Sequence, residues 1–339
     1  MKILVLGYFG HATNQLDGQT VRTRSIHELL ESKSKEQIEY FDTQTFKQSK
    51  LNLLKMFKLL IKADVVFYIA AHNNLKYLFP LIFIVAKLFS TTINYVAIGG
   101  WLFGFLKNKP MHRYMLSRIK GIYVQTDNLY SDLQKYQFKN VHTLNNFRMI
   151  QYPALDLKSN HEETIKLVFM ARVHPLKGVD LLFKLEKALK EIGIHNASID
   201  IYGPILGSYK DDFLSKIESS SAQYGGVIEP ADIYDVLQKY DLMLFPTKYY
   251  TEGFPGTILD AYISGVPVIA TEWLNAEEFI DNGETGYITE FDNDDKFIEK
   301  VIETLKNPQK LIQLKKHVKT KRDAYSADRA WNILEKSLK

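Results

Sequence analysis

Short runs of β-branched and aromatic residues recur along the chain, separated by longer segments with helical periodicity. In order, the runs are KILVLGY, QIEYFDT, DVVFYIA, TINYVAI, GIYVQT, IKLVFMA, ASIDIYG, LMLFPT, PVIAT and GYIT. Strands that alternate with helices predict right-handed crossovers and parallel sheets, which is the pattern of an α/β protein. These strands are too many for a single sheet of ordinary size, and a chain of 339 residues is longer than a domain with a single hydrophobic core usually is. The sequence therefore predicts two doubly wound domains.

The boundary between the two domains is expected near residues 144–164. This segment, LNNFRMIQYPALDLKSNHEET, has no clear period and contains a proline and a polar tail. It separates a first domain of residues 1–150 from a second domain that begins at residue 165. In doubly wound sheets, ligands bind beyond the carboxyl ends of the strands. We therefore expect functional residues directly after strands, in a cleft between the domains.

Cysteine is absent from the chain, which excludes disulfides and thiolate zinc sites and is typical of a reducing compartment. The most apolar window, LKYLFPLIFIVAKLF at residues 75–89, is interrupted by Lys76, Pro80 and Lys87 and is too short to span a bilayer. The opening MKILVLGYFG lacks a small-residue cleavage pattern, so we interpret it as a buried strand. These features predict a cytoplasmic protein.

Charge is distributed unevenly between the two halves. Residues 1–150 contain 20 Lys and Arg against 9 Asp and Glu, a net charge of +11, and the remaining residues carry −7. A basic half suits anionic lipid headgroups, a phosphorylated substrate or nucleic acid, or it is simply a solvated basic surface. No basic aromatic motif or helix-turn-helix pattern supports nucleic-acid binding.

Two apolar segments of the basic half bear on a membrane. In KLNLLKMFKLLIK, residues 50–62, a helical projection places Lys55, Lys58 and Lys62 on one face and Leu53, Leu54, Phe57, Leu60 and Ile61 on the other. The favoured interpretation is a surface helix with its apolar stripe in the core, and the alternative is an interfacial helix. The segment FPLIFIVAKLF is either deeply packed or partly lipid-facing. The sequence thus allows peripheral contact with an anionic membrane.

Two cations follow the strand IKLVFMA, in the stretch RVHPLKGVDLL. Arg172 and Lys177 lie on a loop that leads into a helix. A guanidinium and an ammonium beside a helix N-terminus suit a diphosphate, because the guanidinium binds two oxygens and the ammonium a third. The alternative is a pair of solvated loop cations.

Two carboxylates flank a helix start after the strand LMLFPT, in TEGFPGTILD. Glu252 precedes Pro255 and Gly256, which are expected to begin the helix, and Asp260 lies on the same helix face as Gly256. The two carboxylates can accept hydroxyls of a sugar and of a ribose. Since His11, His72 and His112 lack metal-ligand spacing, we expect no metal.

These motifs carry a resemblance. EGFPGTILDAYISGVPVIATEWLNAEEFIDNGETGYI, with FMARVHPLKGVDLL and AYSADRAWNILEKSL, resembles the C-terminal half of the retaining GT-B glycosyltransferases of family 4, the glycosyl transferases group 1. The resemblance is specific over residues 165–335. It implies two Rossmann-like domains that face each other across a cleft, a donor-binding domain of residues 165–319, and a C-terminal segment, residues 320–339, packed back on the first domain.

The resemblance also assigns roles to residues. Arg172 and Lys177 would hold the donor diphosphate, Glu252 would contact the donor sugar, and these three residues would be catalytic. The remaining donor contacts that it implies are Gly18, Gln19, Gly203, Phe254, Pro255, Gly256, Thr257 and Asp260. The stretch GYFGHATNQLDGQTVRTR would bring Gly18 near the donor phosphates, although it contains no G-x-G-x-x-G or P-loop pattern and also fits a plain surface turn.

Two positions depart from the family. Its second acidic residue is usually glutamate, and Asp260 is one methylene shorter. Many members have a histidine after the fourth strand, near the acceptor, where this chain has Trp101 in AIGGWLFGFL.

The implied reaction is transfer of a sugar from a nucleoside-diphosphate sugar to an acceptor hydroxyl with retention of configuration. The expected acceptor is a lipid-linked or growing glycan in bacterial cell-surface synthesis, and neither a cofactor nor a metal is expected. Two alternatives remain open at this point. One is a nucleotide-sugar epimerase on the same scaffold, and the other is a non-catalytic, membrane-associated subunit that binds a partner transferase.

Overall fold

The structure is a computed structural model, and it describes residues 1–11, 17–153 and 164–338. The chain divides into two compact units: Met1–Ile150 together with Tyr325–Lys339, and Gln151–Ala324. Residues 154–163 of the expected interdomain boundary lie outside the described residues. Each unit contains one six-stranded sheet in which every pairing is parallel.

The first sheet has the strand order β2-β1-β3-β4-β5-β6. Its strands are β1 (Lys2–Gly7), β2 (Gln37–Asp42), β3 (Val65–Ala70), β4 (Thr92–Ala97), β5 (Gly121–Val124) and β6 (Val141–Thr143). The central strand β3 is buried along its whole length, because helices cover the sheet on both faces. This explains why VVFYIA is a continuous apolar run.

Helices pack on both faces of the first sheet. They are α1 (Gly18–Lys33), α2 (Leu51–Lys62), α3 (His72–Tyr77), α4 (Phe79–Leu88), α5 (Leu102–Leu106), α6 (Pro110–Ser117) and α7 (Asp127–Gln134). Side chains of α2 and of α3 to α7 share one hydrophobic core. Side chains of α1 and of the C-terminal segment share the core on the other face, to which Ala330 and Leu334 contribute.

The second sheet has the order β12-β11-β10-β7-β8-β9. Its strands are β7 (Ile165–Met170), β8 (Ala197–Tyr202), β9 (Gln223–Tyr224), β10 (Leu242–Phe245), β11 (Val268–Thr271) and β12 (Gly286–Thr289). The remaining helices are α8 (Val179–Glu191), α9 (Lys210–Glu218), α10 (Ile233–Leu237), α11 (Gly256–Ile263), α12 (Ala276–Phe279), α13 (Asp294–Leu305), α14 (Pro308–Lys321) and α15 (Ala327–Leu334). Counted within the unit, this is the 3-2-1-4-5-6 order of dinucleotide-binding sheets, so the strand order reverses between β7 and β10.

The expected α/β class with two Rossmann-like domains is confirmed. The first unit also corrects one prediction about α2, because Leu54 and Ile61 are exposed and do not face the core. The residues of α2 that are buried are Met56 and Leu60. No helix in the described ranges is long and apolar enough to cross a bilayer.

Candidate functional site

The carboxyl edge of the second sheet gathers most of the predicted site residues. Arg172 and Lys177 follow β7, Gly203 follows β8, and Glu252 lies in the loop after β10. These strands are neighbours in the sheet, so residues far apart in sequence meet at one edge. The strand order reverses between β7 and β10, and doubly wound sheets bind their ligands at such a switch point.

A tight turn holds Lys177 at this edge. The turn is a short 3₁₀ segment, Pro175–Lys177, and its start is capped by His174, whose Nδ1 accepts a hydrogen bond from the Leu176 backbone at 2.9 Å. Gly178 follows with φ of +74°, and a Cβ there would lie 1.6 Å from the carbonyl oxygen of Pro246. Glycine at this position lets the turn approach the segment after β10.

The consequence of that approach is an ion pair between Lys177 Nζ and Glu252 Oε1. The two side chains are only 18% and 14% exposed. The ammonium also lies 5.9 Å from the centroid of the Phe245 ring, at the end of β10. The sequence predicted both residues but not their pairing, since 75 positions separate them. The structure therefore brings together one predicted phosphate ligand and one predicted sugar ligand.

Arg172 differs from Lys177 in its surroundings. Its side chain is exposed, and among the described residues it makes no hydrogen bond or ion pair that would hold it. It follows β7 two residues after the strand ends. An unpaired guanidinium at a sheet edge is available for an anionic ligand without first breaking a contact.

The N-terminus of α11 lies in the same loop as Glu252. The helix starts at Gly256, with Pro255 at the N-cap and no side-chain cap. Phe254 is buried and stacks on Phe279 with ring centroids 3.9 Å apart. The hydroxyl of Thr257 donates to the carbonyl oxygen of Met170 at 2.6 Å, which fastens the start of α11 to the end of β7. The Thr257 hydroxyl is thus used within the fold, and the donor contacts predicted for this turn stay predictions.

Asp260 lies within α11 and is 7% exposed. Its Oδ1 accepts a hydrogen bond of 3.1 Å from the hydroxyl of Tyr234, on α10. Sequence reasoning missed Tyr234, because it belongs to a short helix with no motif around it. A tyrosine hydroxyl of this kind orients the carboxylate.

Gly203 has a packing reason of its own. Its φ is +131°, and a Cβ there would lie 1.9 Å from the carbonyl oxygen of Ala171. Only glycine fits where the chain leaves β8 beside the end of β7. Its role as a donor contact stays a prediction.

In the first unit, Gly18 and Gln19 begin α1. The carboxylate of Asp17 caps this helix by accepting hydrogen bonds from the backbone of Gln19 at 3.0 Å and of Thr20 at 2.9 Å. A carboxylate already binds these two donors, so a phosphate could use them only by displacing it. Among the described residues, no atom lies within 4 Å of a Cβ placed on Gly18. The donor contacts predicted here stay predictions.

Trp101 stands where many members of the family have a histidine near the acceptor. It lies beside His72, a histidine that the sequence did not single out as a residue near the acceptor. Its ring centroid lies 5.2 Å from that of His72 and 5.6 Å from that of Phe105. The indole N–H donates to the carbonyl oxygen of Ile98 at 2.5 Å, which fixes the ring. His72 follows β3 and Trp101 follows β4, so neighbouring strand ends bring them together. That adjacency of β3 and β4 is the signal by which the sequence could have found the pair.

In the described ranges, no group of three or more histidine, aspartate or glutamate side chains is arranged to hold a metal ion.

Comparison with known proteins supports the glycosyltransferase resemblance. Residues 154–322 match the family described as Glycosyl transferases group 1. The chain is 25% identical over 208 residues to the poly(ribitol-phosphate) alpha-N-acetylglucosaminyltransferase of Staphylococcus aureus (strain COL), across 59% of this chain and 40% of that protein. It is 34% identical over 111 residues to the capsular polysaccharide biosynthesis glycosyltransferase CapM of Staphylococcus aureus, across 32% of this chain and 28% of that protein. The alignments thus span less than half the length of these relatives.

A solved structure matches the whole chain. The Anabaena protein Alr3699/HepE in complex with UDP superimposes with a TM-score of 0.74 at 15% identity, covering 100% of this chain and 99% of that one. With this match, the two parallel sheets define an α/β protein with the two-domain GT-B fold. Within it, residues 154–322 are a domain of the glycosyl transferases group 1 family.

Proposed function

We propose that the protein is a retaining glycosyltransferase that moves a sugar from a nucleoside-diphosphate sugar to an acceptor hydroxyl. The observation that carries this proposal is the Lys177–Glu252 pair, held at the strand-order reversal of a glycosyl transferases group 1 domain. A diphosphate needs cations, a sugar needs hydroxyl acceptors, and this pair supplies one of each within a single contact.

In this proposal, binding of the donor breaks the Lys177–Glu252 ion pair and gives each of the two side chains a new partner on the donor. The diphosphate takes the place of Glu252 beside Lys177, and Arg172 binds further phosphate oxygens. The carboxylate of Glu252, released from the ammonium, accepts hydroxyls of the donor sugar. Lys177 keeps an anionic partner in the exchange, since the diphosphate takes the place of the carboxylate. The backbone from Phe254 to Thr257 approaches the donor, and Asp260 accepts the ribose hydroxyls.

The chemical step follows from the same arrangement. As the sugar leaves, negative charge grows on the diphosphate, and Lys177 and Arg172 stabilise it electrostatically. The leaving phosphate oxygen accepts the proton of the acceptor hydroxyl on the same face of the sugar, which gives retention. Glu252 orients the sugar through its hydroxyls and does not attack the anomeric carbon. Neither a metal nor a cofactor takes part.

We propose a UDP-sugar as the donor, since the similar Anabaena protein was crystallised with UDP. For the acceptor we propose a lipid-linked or growing glycan of the bacterial cell surface, on the strength of the relatives named for capsule and poly(ribitol-phosphate) synthesis. His72 and Trp101 are proposed to contact this acceptor at the carboxyl edge of the first sheet. In this proposal the protein is cytoplasmic and binds peripherally to the inner face of the membrane.

The test is a panel of UDP-, GDP-, ADP- and dTDP-sugars, each given with and without lipid and glycan acceptors from a capsule-producing bacterium. Release of one nucleoside diphosphate that depends on acceptor, with an α-linked product from an α-linked donor, is the expected result. Conversion of the sugar without acceptor would favour the epimerase. If none of these nucleotides binds, the result would favour the non-catalytic subunit.

A further inference from the structure

Three helices of the first unit form one layer. Helices α2, α4 and α6 all contribute buried side chains to the same hydrophobic core against the sheet. Neighbours within the layer are in contact, α2 with α4 and α4 with α6. The inward residues of α4 are Phe79, Ile82 and Ala86. The side of the layer that points away from the sheet has an unusual composition for an outer surface.

The outer stripe of α4 is apolar throughout. Leu81, Ile84 and Leu88 are spaced three and four residues apart, which places them on one helix face. They are 47%, 55% and 74% exposed. Single exposed apolar residues are ordinary on a protein surface, but a complete helical stripe is not. This stripe is therefore a surface that suits burial against something else.

The neighbouring helices extend the apolar surface. On α2, Leu51, Leu54 and Ile61 are exposed, and on α6 Met111 and Tyr114 are exposed. On α2 the exposed apolar residues are interleaved with lysines on the same outward face, at Lys55, Lys58 and Lys62. We call the outer side of α2, α4 and α6 the basic apolar face.

Nearly all charged side chains of this segment are positive. Residues 51–120, which build β3, β4 and helices α2 to α6, contain ten lysines and arginines and a single acidic residue, Asp64. Asp64 lies before β3, where its carboxylate accepts a hydrogen bond of 2.7 Å from the Lys2 backbone. The net charge of the first half is thus concentrated where the exposed apolar residues are. Lysines can lay their alkyl stems along apolar surface while the ammonium reaches outward.

Aromatic rings beside the basic apolar face make cation–π contacts with basic side chains. Lys87 Nζ lies 5.7 Å from the ring centroid of Phe83, and the Arg118 guanidinium lies 5.4 Å from that of Tyr114. Such contacts keep the cations at the border of the apolar surface and not above it. The borders of the face are thus positive while its centre, on α4, is apolar.

We propose that the basic apolar face docks on an anionic lipid bilayer, with the α4 stripe buried among the acyl chains near the headgroups and the basic side chains on the headgroup phosphates. A bilayer of this kind offers both an apolar layer and negative charge at the depths where the face needs them. A second copy of the chain is disfavoured, because a two-fold contact through this face would set two like-charged surfaces against each other.

This inference rests on the proposed function, since a lipid-linked acceptor is what would make docking useful. The test of docking needs neither donor nor acceptor, so failure of the docking proposal can be told apart from failure of the proposed transferase activity. The full-length protein is sedimented with vesicles of phosphatidylcholine alone or of phosphatidylcholine with phosphatidylglycerol. Three variants are compared: Ile84→Glu with Leu88→Glu, Lys58→Glu with Lys62→Glu, and Ile192→Glu as the control, an exposed apolar residue of the second unit.

Binding to the anionic vesicles alone is expected, and it should weaken as salt shortens the Debye length from about 10 Å at 0.1 M to about 3 Å at 1 M. Loss of two lysines should lower the partition coefficient at least roughly 30-fold, at about fivefold per lysine. The α4 variant should lose binding, and the control should bind like the wild type. Thermal melts establish that each variant is folded.

Three results would overturn the proposal. The first is equal binding of the wild type and both face variants to anionic vesicles, and the second is no binding by any of them. The third is a wild-type dimer in solution that the α4 variant dissociates, without vesicle binding, which would assign the face to a second copy of the chain.

Discussion

The Lys177–Glu252 pair allows a test that separates stability from donor binding. Both side chains are mostly buried, so removing one leaves the other charge without its partner. For fully buried pairs this costs about 3–5 kcal/mol. Partial exposure lowers the expected cost for Lys177→Met to about 2 kcal/mol, which corresponds to a fall in the melting temperature of about 4–8 °C for a unit of this size. Glu252→Gln should behave similarly.

The double variant removes both charges, so it should recover most of this loss. Donor binding should not recover. At a UDP concentration about 100 times its dissociation constant, the wild type gains about 2.7 kcal/mol. Loss of a hydrogen bond to a charged group, at about 2 kcal/mol, weakens binding about 30-fold and leaves a gain of about 0.9 kcal/mol. Turnover should fall by about 10²–10³.

The assay is differential scanning calorimetry of the wild type, both single variants and the double variant, each with and without UDP. A stable double variant whose UDP stabilisation falls from about 2.7 to about 0.9 kcal/mol is the expected outcome. If the double variant regains both the melting temperature and the full UDP shift, then Lys177 serves only to neutralise Glu252 and does not bind the diphosphate. Should the nucleotide panel select another base, the same four proteins are measured with that nucleotide.

Three further predictions concern glycines and a carboxylate. Gly203→Ala should destabilise the protein by about 3 kcal/mol or more in urea unfolding, because of its positive φ and backbone contact, whereas Gly207→Ala has open space and should be neutral within about 0.5 kcal/mol. Gly18→Ala should leave the melting temperature unchanged, since among the described residues the added Cβ meets no atom within 4 Å, and a weaker UDP shift would then assign Gly18 to the donor site. Burial raises the pKa of Glu186, but hydrogen bonds from a neighbouring lysine and two serines outweigh it and hold the pKa at about 2. The stability that Glu186 contributes is therefore complete above its unfolded pKa of about 4.3 and is lost as the pH falls towards 2. In unfolding curves, the free energy of unfolding of Glu186→Gln should lack this part of the pH dependence. The same slope against pH as in the wild type would contradict the prediction.

Most of the fold was predictable because strands buried on both faces are continuous apolar runs, and each of the ten runs quoted above overlaps a strand of the structure. The two strands that the sequence did not indicate, β6 and β9, have three and two residues. Segments this short show no period. The predicted orientation of α2 was wrong in part. A helical projection cannot tell which apolar residues face the sheet when apolar residues lie on all sides of the helix.

The site was predictable residue by residue but not contact by contact. Placing Lys177 after β7 and Glu252 after β10 requires only strand recognition, whereas their pairing depends on β7 and β10 being neighbours in the sheet. The hydrogen bond from Tyr234 to Asp260 depends in the same way on the packing of α10 against α11. The capping of α1 by Asp17 is local, and its spacing to Thr20 is a signal that the sequence does contain.

The division of the chain has a consequence for biosynthesis. Because Tyr325–Lys339 belongs to the first unit, that unit is discontinuous and the second is an insertion within it. As the ribosome releases the chain, residues 1–150 emerge first but lack α15, whose Ala330 and Leu334 complete one of their two cores. The second unit, by contrast, is continuous and emerges whole. The core that Ala330 and Leu334 share with residues 1–150 thus cannot be completed until α15 has been made, after the whole of the second unit.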